Sequence, residues 1–203
     1  MQHLPALLLT YVLCAHSPQL PGSNNQEAPE KWIVTKGCAL QVNGRTNVNT
    51  FRCAINSYAG PDTLTVQRSC RRAQPVMLSG CIGLPVTGFD CMNKTMTNDL
   101  RKTLKADEYP HLRITFVTLQ QYPPDNTAAT STCGAVIIEL AGTARQFNIN
   151  YRISRDAQQL IHLEGTQVIR FSDFNLTPPK KFGGMVRAND LLEVQFDLNF
   201  KKA

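Results

Sequence analysis

Leu192-Glu193-Val194-Gln195-Phe196-Asp197-Leu198-Asn199-Phe200 alternates without a break between large apolar and polar side chains. Successive side chains of a β-strand point to opposite faces, so a period of two predicts a strand with one buried and one wetted face. The same pattern recurs as one reads outward from this stretch. Phe147, Ile149, Tyr151 and Ile153 alternate with Gln146, Asn148, Asn150 and Arg152. Val136, Ile138 and Leu140 lead into a turn at Ala141-Gly142, and a further strand is expected over residues 159–171. Nearer the N-terminus, Cys38, Leu40 and Val42 form a first run and Phe51, Cys53 and Ile55 a second, with a strong turn signal at Asn43-Gly44 between them. Leu64 and Val66 make a third, short run. Val76, Leu78, Gly80, Ile82, Leu84 and Val86 make a longer fourth, and Leu112, Ile114 and Phe116 share a face further on.

One segment departs from this period. Met96, Leu100 and Leu104 are four apart with Asn98, Asp99, Arg101 and Lys102 between them, which predicts a short amphipathic helix from Lys94 to Ala106, ended by Tyr109-Pro110. About eight strands and one helix predict an all-β fold. Antiparallel strands with one apolar face each bury it in a barrel or a sandwich, and periodicity does not separate the two. An eight-stranded barrel is the size that either fills with its own side chains or holds one small ligand.

The chain has 203 residues. Leu4 to Cys14 is an apolar run too short to span a bilayer and of the length found in a secretory leader. The expected organisation is a signal peptide at 1–17, a polar linker at 18–30 and one β-domain at 31–203. The expected location is the periplasm or the exterior. A lipid-modified Cys14 is less favoured, because Leu13 stands where a small residue is expected. Seven cysteines lie at 14, 38, 53, 70, 81, 91 and 133, and removal of the leader leaves six. An even count in an exported chain predicts disulfides. Cys38 and Cys53 are equidistant from the centre of the connection at residues 43–48 and form the leading candidate pair.

Little in the sequence points to catalysis. Of the four histidines, His3 and His16 lie in the leader or at its edge, and His111 and His162 stand singly, with no carboxylate or cysteine at ligand spacing. No nucleophile elbow, zinc-protease motif or phosphate-binding glycine loop occurs. The expectation is a protein that is not an enzyme, needs no cofactor and binds no metal. Lysine and arginine total 21 against 15 acids, a net charge of +6, but the cations are scattered and no basic run exceeds the adjacent pairs Arg71-Arg72, Arg101-Lys102, Lys180-Lys181 and Lys201-Lys202. That excludes a phosphate-tracking patch and argues against a nucleic-acid partner. Asn93-Lys94-Thr95 and Asn175-Leu176-Thr177 match the N-glycosylation triplet.

Four segments in order resemble the YceI-like lipid- or polyisoprenoid-binding proteins of the bacterial envelope. They are Met96-Thr97-Asn98-Asp99-Leu100-Arg101 running on to Tyr109-Pro110-His111-Leu112-Arg113-Ile114-Thr115-Phe116; Leu140-Ala141-Gly142-Thr143-Ala144-Arg145-Gln146-Phe147; Phe171-Ser172-Asp173-Phe174-Asn175-Leu176; and Asn189-Asp190-Leu191-Leu192-Glu193-Val194. The cysteines are not a feature of that family. The resemblance implies an extended antiparallel, eight-stranded lipocalin-like barrel with the short helix packed against it. It also implies an apolar interior that sequesters an isoprenoid quinone, a polyprenyl phosphate, or a fatty acid or amide. The candidate lining is Phe51, Ile55, Leu64, Ile114, Phe116, Val136, Ile138, Phe147, Ile149, Phe174, Val194 and Phe196. An encounter with a membrane surface and a homodimer are compatible with this reading. The competing reading is an envelope structural or interaction module with a solid, ligand-free core.

Overall fold

The computed structural model describes residues 27–58, 60–69 and 74–203. The expected signal peptide with Cys14, most of the linker, and Cys70-Arg71-Arg72 lie outside the described residues. The strands are β1 (Glu30–Val34), β2 (Cys38–Thr46), β3 (Thr50–Tyr58), β4 (Thr63–Gln67), β5 (Val76–Ser79), β6 (Cys81–Pro85), β7 (His111–Phe116), β8 (Thr118–Leu119), β9 (Thr130–Leu140), β10 (Thr143–Arg155), β11 (Ile161–Arg170), β12 (Lys180–Lys181) and β13 (Val186–Lys202). A single α-helix among the described residues, α1 (Lys94–Thr103), lies between β6 and β7. The fold is all-β and its strand pairs are antiparallel. The described strands number thirteen, more than the eight expected, and some are segments of longer runs. Gly80 alone separates β5 from β6, and Val117 alone separates β7 from β8.

The 17-residue strand β13 organises the sheet. One edge pairs with β11 from Leu191 to Phe200. Its other edge pairs first with β2, from Ala188 to Asp197, and then with β1, from Phe200 to Lys202. Hydrogen-bonded neighbours follow the order β6-β7-β9-β10-β11-β13-β1-β4-β5-β8. The sheet curls, because β8 lies against both β5 and β9. Val117 N donates to Ala135 O at 3.0 Å and Gln120 N to Cys133 O at 2.8 Å. At the other end, Ala54 and Asp90 exchange backbone bonds of 2.8 and 2.9 Å and tie β3 to the segment before α1.

Alternation explains which faces point inward. Leu192, Leu198 and Phe200 of β13 are buried, as are Ile149, Tyr151 and Ile153 of β10, while Asn148, Asn150 and Arg152 between them are exposed. The end of the curl around β1 is solid. Trp32, Leu64, Val66, Ile153 and Phe200 are fully buried there, and the Trp32 ring packs on Phe200 and Tyr122 at 5.8 and 5.9 Å.

Two expectations are corrected. Asn43-Gly44 is not a turn but lies inside β2, where Gly44 pairs with Phe51. A Cβ on Gly44 would stand 2.2 Å from the Phe51 ring, so the glycine serves a close approach of ring to backbone. The hairpin instead turns at residues 46–49, where Asn49 N donates to Thr46 Oγ1 at 2.8 Å. This moves the register. Cys38 faces Tyr58 and Cys53 faces Val42, so Cys38 and Cys53 are not bonded to each other. Cys53 is joined to Cys91, and Cys38, Cys81 and Cys133 are free thiols.

Helix α1 begins at Asn93, whose side chain accepts from Met96 N at 3.0 Å. Arg101 and Lys102 in its last turn suit the carbonyl end of the dipole. It ends at Leu104, short of Ala106, because Lys105 turns to φ 52°.

Candidate functional site

The inward faces of β2, β7, β9, β10, β11 and β13 meet the inner face of α1 around an apolar cavity. Its wall exposes only apolar atoms. Six of the expected residues line it: Ile114, Phe116, Ile138, Ile149, Val194 and Phe196. Antiparallel pairing brings Ile114 opposite Ile138, and alternation turns both the same way. The other six lie elsewhere. Ile55, Leu64, Val136 and Phe174 are buried in the packed core away from the cavity, and Phe147 packs on Phe174 at 6.1 Å. Phe51 lies over Gly44 and borders an outer groove.

Several lining residues were not singled out from the sequence, although the signal for them was present. Leu100 and Leu104, four apart on α1, form the helix's contribution to the wall. Tyr151 and Ile169 lie on the inward faces of β10 and β11. Tyr151 sets its ring edge-on to Phe196 at 5.5 Å. Burial, aided by nearby Cys133, pushes its phenol well above the ordinary range, so it stays neutral.

As it stands the cavity measures about 70 Å³. Pockets that enclose drug-sized ligands run to roughly 300–1,000 Å³. The space is therefore a short apolar slot, and a long chain requires wall side chains to move aside. Leu100 is the side chain best placed to do so. It lines the inner cavity and also an outer groove of about 290 Å³ bordered by Phe51, Met96, Phe171, Pro179 and Phe182.

Fixed contacts hold α1 over this boundary. The Cys53–Cys91 disulfide anchors its approach to β3. Arg101 donates to the carbonyl oxygens of Phe89, at 3.0 Å, and Thr87. Asp99 pairs with Lys181 of β12 at 2.7 Å. Among the described residues no polar cluster converges on the cavity. His111 is exposed on β7, and His162 is engaged away from the cavity with Asn199 at 2.5 Å and Asp156 at 3.1 Å. Among the described residues no three His, Cys, Asp or Glu side chains gather to hold a metal ion, and no helix is long and apolar enough to cross a membrane.

Comparison with solved structures decides the fold. A polyisoprenoid-binding domain from Saccharophagus degradans, described as implicated in plant cell wall breakdown, superposes with a TM-score of 0.60, covering 85% of this chain and 98% of that one at 10% identity. The chain has a YceI-like fold. BcnA of Burkholderia cenocepacia superposes with a TM-score of 0.58, covering 80% of this chain and 95% of its own at 16% identity. No family model and no curated protein matches the sequence. Identities this low carry the fold and leave the ligand to the chemistry of the interior.

Proposed function

We propose that this chain binds an apolar, lipid-like ligand in its interior and carries out no catalysis. The observation that supports this is the cavity wall, which exposes only apolar atoms and is built from facing strands together with one helix. Ile114, Phe116, Ile138, Ile149, Val194 and Phe196 contribute to it. A hydrocarbon tail gains about 0.8 kcal/mol for each methylene withdrawn from water. Association costs roughly 4–15 kcal/mol, so a long tail can bind without a charged contact. The ligand classes proposed are isoprenoid quinones, polyprenyl phosphates and fatty acids or amides, once the wall side chains have moved aside, in keeping with a structural neighbour described as polyisoprenoid-binding. The Cys53–Cys91 disulfide suits an oxidising compartment, which supports an exported protein.

A second reading has its own observation. A volume of about 70 Å³ is what a nearly solid core leaves behind, and it favours a structural or interaction module. Mass spectrometry of an organic extract of the purified protein separates the two. The lipid-binding reading predicts a co-purifying long-chain lipid in stoichiometric amount. A protein that carries no lipid and takes none up from added mixed lipids is the solid module.

A further inference from the structure

The rim of the outer groove has a composition of its own. Val48 in the β2–β3 turn is 68% exposed, and Phe182 and Met185 in the β12–β13 loop are 73% and 72% exposed. Backbone and side-chain bonds weld these two loops into one lip. Asn47 N donates to Arg187 O at 3.1 Å, Asn47 Nδ2 to Met185 O at 2.8 Å, and Arg187 N to Asn47 Oδ1 at 2.9 Å. The loop is sharply folded, with Phe182, Gly183 and Gly184 all at positive φ, and Phe182 points its ring into water. Residues 44–51 and 174–189 supply Arg45, Lys180, Lys181 and Arg187 and not one carboxylate. Asp173 and Asp190 flank the second segment, Glu193 shares a groove with Arg45, and Asp99 of α1 pairs with Lys181, which leaves the cations in excess.

We propose that this lip seats the protein on an anionic lipid bilayer, with Val48, Phe182 and Met185 entering the interface and the surrounding cations facing lipid phosphates. Exposed apolar side chains ringed by lysine and arginine are the chemistry that such a surface retains. Charge complementarity selects the bilayer over an acid-free apolar partner. The position gives the contact a purpose, since Phe182 borders the outer groove whose wall at Leu100 is shared with the inner cavity. That purpose rests on the lipid-binding reading of the interior, whereas the docking does not.

The test is co-sedimentation of the full chain with phosphatidylcholine vesicles, with and without phosphatidylglycerol. The wild type is expected to bind the phosphatidylglycerol vesicles, and to bind less as salt rises. Val48→Asp/Met185→Asp should weaken partition about tenfold or more, and Lys180→Glu several-fold. Met77→Asp, at an exposed apolar position on β5 remote from the lip, should bind as the wild type does. Wild-type-like binding by the double variant, or equal binding to vesicles lacking phosphatidylglycerol, overturns the proposal. Fatty-acid uptake by the wild type in vesicle-free solution is read separately. Its failure would remove the interior site and leave the vesicle result standing.

Discussion

Glu30 shows how much one side chain does at the closed end of the curl. Its side chain is 12% exposed and accepts from Trp32 Nε1 at 2.8 Å, from the Tyr122 hydroxyl at 2.5 Å and from Lys202. Burial pushes its carboxyl up, but the hydrogen bonds from Lys202, Tyr122 and Trp32 outweigh it and hold the group below its ordinary value of 4.5. A lowered carboxyl pKa means stability that is present above the ordinary value and lost as pH falls through the folded value. Glu30→Gln should therefore cost about 1–2 kcal/mol at neutral pH in urea unfolding. The gap to the wild type should close as the solution is made acidic, and a gap that does not narrow would disprove the charge's role. Cys38 teaches a different lesson at the same scale. Its thiol donates to Thr35 O at 3.3 Å and accepts from Asn199 N at 3.1 Å, and burial pushes its pKa up. It is a packed thiol tied to β13, which no local spacing in the sequence announces.

At the scale of elements, the hairpin β2–β3 decides the cysteine chemistry. Asn-Gly is the strongest short-range turn signal, yet here the glycine sits in mid-strand beneath the Phe51 ring and the turn falls a few residues later. The ring's need for a bare backbone overrides the turn preference. Moving the turn shifts the register and leaves Cys53 to pair with Cys91 just ahead of α1. Peptide mapping without reduction should recover Cys53 linked to Cys91, with Cys38 alkylated after denaturation alone. A Cys38–Cys53 link would refute the register. Cys53→Ala/Cys91→Ala should lower stability by about 2–4 kcal/mol, since the bridge closes a loop between residues 38 apart. The alternating runs of β9, β10 and β13 were legible because both their faces report in the sequence. Strand β1 was not, because Trp32-Ile33-Val34 is too short a run to show a period, although Trp32 is fully buried.

At the scale of the molecule, alternation and one helical interruption are enough to read an all-β fold, and the order of weak motifs narrows it to a YceI-like one. Which inward residues line free space and which fill solid core is not legible. Ile138 and Val136 share one face of β9, yet the first lines the cavity and the second is packed away from it. That difference arises from the curl of the sheet and the seating of α1, which depend on contacts distant in the sequence. The central claim is that the interior opens to take an apolar chain. The direct measurement is fluorescence titration of the protein with a long-chain polyene fatty acid, beside the variant Ile114→Phe/Ile138→Phe, whose added rings occupy the slot. Overpacking costs typically 1–3 kcal/mol, so thermal unfolding of the variant is recorded alongside to establish that it is folded. The account predicts saturable uptake by the wild type, one ligand per chain, and a loss of affinity of about tenfold or more in the folded variant, the equivalent of about 1.4 kcal/mol. No uptake by the wild type, or equal uptake by both proteins, would contradict it.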